Sequence, residues 1–111
     1  MDRRIELVIS KIEAEVAHSW ETAELAALVN LSASRFRHLF KEETGQTTSQ
    51  YLREVRLQRA ELLLRTTFLS IKEVMSETGL TSSSHFVQYF KKKYGMSPTA
   101  YRKHLAIFVK H

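Results

Sequence analysis

The chain has no cysteine, one proline and three glycines among its 111 residues. Without cysteine there is no disulfide, no thiolate nucleophile and no cysteine-bearing zinc set. The four breakers, Gly45, Gly79, Gly95 and Pro98, interrupt the backbone rarely. Such sparse punctuation argues for helices joined by short connections. No segment sustains the apolar–polar alternation of a strand. No apolar run approaches the roughly 20 residues of a membrane span, and the opening MDRRIELVIS lacks the apolar stretch of a secretory signal. Acidic side chains are in the minority. Twelve Asp and Glu face seventeen Lys and Arg, a net charge of +5, which suits a polyanionic partner such as nucleic acid. The apolar share of 43% is enough to build the core of one compact domain.

Caps and apolar spacing predict an all-α fold of seven helices. The first covers about residues 3–17, with Ile5, Val8, Ile9, Ile12 and Val16 at helical spacing. A short second helix spans about 22–29. A third runs from about 33 to 44, with Ser32 as N-cap and Gly45 as its stop. Thr47 and Gln50 have capping-box spacing and start a fourth helix that reaches about Arg65. Ser70 and Glu73 repeat that spacing at the head of a fifth, which Gly79 closes. The sixth runs about 82–94. Ser97 caps the last, with Pro98 at its favoured first position.

An internal repeat organises these helices. At an offset of about 50, Ser32, Ser34, Phe36, Phe40, Lys41, Gly45 and Tyr51 fall on Ser82, Ser84, Phe86, Phe90, Lys91, Gly95 and Tyr101. Upstream the offset shortens by one, placing Leu31 on Leu80, Asn30 on Gly79 and Leu25 on Val74. The second copy therefore carries one extra residue at its turn. Each copy reads as a short helix, a tight turn holding Asn or Gly, and a second helix, which is the helix-turn-helix layout. A repeated helical hairpin that binds protein has the same spacing.

The second helix of each copy divides its residues between two faces. Phe36, Leu39 and Phe40 share one face, and Ser34, Arg37, His38 and Lys41 the other. In the later copy Phe86, Tyr89 and Phe90 oppose Ser84, Val87, Gln88 and Lys91. A helix in a major groove needs this division. Arg can bind guanine bidentately, Gln can bind adenine, and Val can touch a thymine methyl. Simple exposure to water would produce the same pattern. Arg35, Lys41, Lys91 and Lys92 are placed to neutralise phosphates, as are Arg53, Arg56, Arg59 and Arg65 along the fourth helix. Glu42, Glu43, Glu54 and Glu61 are the acidic partners that compete for them.

The run Arg56-Leu57-Gln58-Arg59-Ala60-Glu61-Leu62-Leu63-Leu64 resembles a stretch of the AraC/XylS transcription regulators, in their DNA-binding domain. So does the series Ile71, Val74, Gly79, Leu80, Ser84, Phe86, Phe90, Lys91, Gly95, Ser97, Pro98, Tyr101, Arg102, in order and spacing. The likeness covers about residues 5–104. It departs at Met75, where the family has a small alanine, at Leu80, where it has an aromatic, and at His85, where it often has Tyr.

The resemblance implies two helix-turn-helix subdomains, 1–47 and 67–111, joined by a long linker helix, 48–66. It implies that both recognition helices read successive major-groove segments of double-stranded DNA. Ser34, Arg37, His38, Ser83, Ser84, Val87 and Gln88 map onto the family's base-contacting positions, and Arg35 and His85 onto phosphate contacts. It further implies a bacterial, cytoplasmic regulator with RNA polymerase as a partner. An N-terminal effector or dimerisation domain outside this sequence is expected, the chain being read as a fragment of a larger protein.

Two other classes compete with this reading. The histidines His18, His38, His85, His104 and His111 are scattered and form neither a metal motif nor an acid–base pair. Ser82-Ser83-Ser84 has no nucleophile-elbow context. No enzyme, no cofactor and no metal are therefore expected. A helical protein-interaction module is the alternative, with Trp20 and the tail Leu105-Ala106-Ile107-Phe108-Val109 as its sticky surface.

Overall fold

The computed structural model describes residues 1–109, and side chains as far as Leu105. The apolar tail side chains from Ala106 onward lie outside the described residues. Among the described residues there are seven helices and no strand: α1 (Arg3–Ala14), α2 (Thr22–Leu28), α3 (Ala33–Thr44), α4 (Thr48–Thr66), α5 (Ile71–Thr78), α6 (Ser83–Tyr94) and α7 (Pro98–Val109).

Local chemistry explains most of the boundaries. Ser32 Oγ accepts from the Arg35 N–H at 3.2 Å and starts α3. Thr47 and Gln50 bond reciprocally, at 2.9 and 3.2 Å, and start α4. Ser70 and Glu73 form the same box ahead of α5. Gly45, Gly79 and Gly95 end their helices in the left-handed region, at φ 76, 78 and 85°. α1 stops three residues earlier than its periodicity predicts. The Glu15 carbonyl accepts from the Trp20 indole N–H at 2.9 Å and from the His18 N–H at 3.1 Å, so the chain turns away there. Val16 remains buried beyond the helix end.

The chain forms two compact units, Met1–Val55 and a second from Arg56 onward, and the division falls inside α4. The first unit buries Ile5, Val8 and Ile12 of α1, Leu25 and Ala26 of α2, Val29, Phe36 and Phe40 of α3, and Leu52 of α4. The second buries Leu57, Ala60 and Leu64 of α4, Val74 of α5, and Phe86 and Phe90 of α6. Each fully buried Phe or Leu removes enough apolar surface from water to contribute roughly 1.5–3 kcal/mol.

The repeat is visible in the packing. The Phe36 and Phe40 rings lie 5.7 Å apart, and Phe40 meets Tyr51 edge-on at 5.5 Å. Phe86 and Phe90 lie 5.8 Å apart, and Phe90 meets Tyr101 edge-on at 5.4 Å. Tyr51 donates to Glu13 of α1, while Tyr101 donates to Glu61 of α4 at 2.6 Å. The later part of α4 thus serves the second unit as α1 serves the first.

Candidate nucleic-acid interface

Each unit presents a helix-turn-helix pair, α2–α3 and α5–α6. In the first turn Asn30 takes the left-handed conformation, at φ 57°, and in the second Gly79 does. Leu31 N–H donates to the Ala26 carbonyl at 3.0 Å, and Leu80 N–H to the Met75 carbonyl at 3.1 Å. The turns therefore close alike, although Met75 replaces the smaller side chain. Met75 and Leu80 pack, partly buried, against the second core. The extra residue of the second copy is Thr81, which stands between Leu80 and the N-cap Ser82.

The two faces of α3 separate as the periodicity predicts. Phe36 and Phe40 are wholly buried, and Leu39 packs partly against them. Ser34, Arg35, Arg37, His38 and Lys41 are exposed. On α6, Phe86 and Phe90 are buried, and Ser83, Ser84, His85, Val87, Gln88, Lys91 and Lys92 are exposed. All twelve site residues expected from the sequence thus lie at the surface of these two helices. Seven belong to α6 and five to α3.

Finer geometry distinguishes them. The backbone N–H groups of Arg35 and His85 are spent on the caps Ser32 and Ser82, at 3.2 and 3.3 Å. Only their side chains remain for a ligand. His38 Nε2 lies 3.4 Å from Glu42 Oε2 one turn along α3, with both side chains exposed. The His85 ring stands 6.1 Å from the Tyr89 ring. The basic run after Phe90 is less uniform than its spelling, because Lys93 Nζ sits 5.5 Å above the Tyr94 ring.

Arg37, His38 and Lys41 line one concavity of about 610 Å³ together with Thr22, Glu42, Thr47, Thr48 and Ser49. Ser34, Arg35 and His38 line a second, of about 440 Å³, with Arg4, Leu31 and Leu39. Arg4 is engaged by Asp2, at 2.9 Å, and its hydrogen bonds hold the Asp2 carboxyl down at about 2. Sequence reasoning did not single out Glu42 as a lining residue, nor the start of α4. The signal for the latter was present in the capping-box spelling, which marks where free helix N–H groups begin.

The arginines of α4 are less available than their spacing along the sequence suggests. Arg65 is paired with Glu61 at 3.0 Å, and Arg53, Arg56 and Arg59 are only partly exposed. Burial lowers the Arg56 guanidinium from its ordinary value. Arg102 does structural work: its guanidinium donates to the carbonyls of Leu64, Leu69 and Thr67, closing the end of α4 and the segment after it. No group of three metal-ligating side chains occurs among the described residues.

With both turns and both exposed faces in place, the chain matches the model of a helix-turn-helix domain over residues 25–104. The chain belongs to the AraC/XylS family of helix-turn-helix domains. It is 31% identical to an HTH-type transcriptional regulator of Haemophilus influenzae, over 96% of this chain and 36% of that protein. It is 32% identical to the HTH-type transcriptional regulator MtrA of Neisseria gonorrhoeae, over 92% of this chain and 34% of that protein. The chain therefore spans about a third of the length of these curated relatives.

Solved structures agree with the family assignment. A DNA-binding transcriptional dual regulator of Escherichia coli K-12 superposes with a TM-score of 0.81 at 34% identity, covering 94% of this chain and 99% of that one. The DNA-binding domain of AdpA, solved in complex with a target DNA, gives 0.85 at 28%, with 91% of each chain covered. An AraC-type regulator of Chromobacterium violaceum gives 0.83 at 29%, covering 94% and 93%.

Proposed function

We propose that this AraC/XylS domain binds double-stranded DNA sequence-specifically and regulates bacterial transcription. In this reading α3 and α6 each enter a major-groove segment, the two segments being successive along the duplex. Ser34, Arg37 and His38 meet base edges from α3, and Ser83, Ser84, Val87 and Gln88 from α6. Arg35, Lys41, His85, Lys91 and Lys92 meet phosphates. The domain is not an enzyme. It works in the cytoplasm, with RNA polymerase and an N-terminal effector or dimerisation domain as further partners.

One observation carries the reading. Each recognition helix anchors two phenylalanines in its own core and leaves the opposite face free for donors and small groups. That is the division major-groove readout requires. The AdpA domain, similar over nine-tenths of the chain, was solved on its target DNA, which supports the same partner here.

The test is selection of bound sites from a random duplex pool, followed by titration with salt. The expected result is an asymmetric site in two parts about one helical turn apart, bound with an affinity that falls steeply with salt. Absence of duplex binding at low salt overturns the proposal and favours a protein-interaction module.

A further inference from the structure

The concavity beside Arg37 and Lys41 has the start of α4 as one wall, where Thr47, Thr48 and Ser49 stand. A helix leaves its first N–H groups without intrahelical partners. In α4 the capping box uses those of Thr47 and Gln50. Thr48 and Ser49, the first two helical positions, keep theirs.

A second observation is independent of the helix end. Thr48 is 7% exposed, and its Oγ1 is a buried side-chain oxygen with no hydrogen-bond partner. Buried polar atoms are almost always satisfied, and an orphan calls for an explanation. The residue lines the concavity, and threonine divides between two χ1 rotamers in a helix, so the hydroxyl can follow an acceptor brought there. Two N–H groups, a spare hydroxyl, the positive end of a 19-residue helix and the Lys41 ammonium all suit a phosphate diester.

We infer that the start of α4 is a seat for one phosphate of the DNA backbone, built from Thr48 and Ser49 and flanked by Lys41. The inference rests on the proposed DNA binding and deepens it. It also makes the two units unequal in a way their matched recognition helices do not. The residue that falls on Thr48 in the repeat is Pro98, which has neither N–H nor hydroxyl. The first unit therefore fixes the backbone at a point where the second has two donors fewer.

The test uses the selected duplex with a neutral methylphosphonate placed at each linkage in turn. Two variants are compared with the unaltered chain. Thr48→Pro copies the second unit and removes both groups at that position. Ser49→Asp puts a carboxylate in the seat while favouring the helix start, which guards against loss of fold. Each is expected to bind unmodified DNA about tenfold more weakly, with its preferred sequence unchanged. Each should also lose the sensitivity of the unaltered chain to one linkage at the edge of the first half-site. Sensitivity profiles identical to that of the unaltered chain, in a folded Ser49→Asp variant, overturn the inference. Failure of the unaltered chain to bind any duplex would instead overturn the functional reading beneath it.

Discussion

Arg37 shows how much a single side chain can be asked to decide. It is exposed on α3 opposite Phe36 and Phe40, beside His38 and within reach of the concavity that Lys41 shares. If it reads guanine, Arg37→Ala relaxes specificity at one position of the site and costs about 1–3 kcal/mol there. Competition assays with single-base variants check this, and an equal loss on every sequence would contradict a base-reading role. Asn30 poses a purely conformational question. Its φ of 57° is the one positive value outside glycine among the described residues. A β-carbon strains that conformation, less for Asn than for Ala. Asn30→Ala is expected to lower stability by about 1 kcal/mol. Asn30→Gly, which copies Gly79, is expected to leave it unchanged or raise it slightly. Denaturant midpoints of the two variants measure the difference.

At the scale of elements, α4 and the start of α7 are tied by Glu61, Tyr101 and Arg102. Burial raises the Glu61 carboxyl, but hydrogen bonds from Arg65 and Tyr101 outweigh it and leave the group below its ordinary value. A carboxyl depressed in the folded state binds its proton more readily once unfolded. Its contribution is therefore complete above the ordinary carboxylate range and lost as the pH falls through the lowered folded-state value. Glu61→Gln is expected to reduce stability at neutral pH and to flatten its decline in acid. Denaturation between pH 7 and pH 3 checks both, and an unchanged acid slope would remove Glu61 from the account.

The helices themselves were largely legible, because their stops and starts are spelled by single residues: Ser32, Ser70 and Ser97 as caps, and Gly45, Gly79 and Gly95 as ends. The end of α1 was not. It depends on the Trp20 indole reaching the Glu15 carbonyl, a contact that apolar periodicity does not encode. The site divided in the same way. Which residues of α3 and α6 face outward follows from 100° per residue. That the start of α4 shares a hollow with Arg37 does not, since it depends on how three helices meet in space. The arginines of α4 mislead for the same reason. A linear run shows their charge but not that Arg65 is held by Glu61 or that Arg56 is partly buried.

For the whole molecule, the governing quantity is charge. The net +5 arises from cations spread over both units, and in the proposed reading the exposed Lys91 and Lys92 of α6 meet phosphates. Lys92→Ala is expected to weaken binding to all duplexes evenly and to reduce the slope of log affinity against log salt by about one. Titrations at several salt concentrations measure this, and an altered preferred sequence would show that Lys92 reads bases.

The division of α4 between the two units has a practical consequence for truncation. Chains are usually cut at exposed loops, where few contacts cross. Here such a cut cannot yield two whole units. A fragment ending after Thr66 would keep the first unit but carry Leu57, Ala60 and Leu64 with nothing to cover them, while the remainder would lack the helix on which Val74, Phe86 and Phe90 pack. A cut at Val55 would leave each fragment its own core residues, at the cost of two frayed helix ends. Seven helices make two four-helix units only because one helix is counted twice.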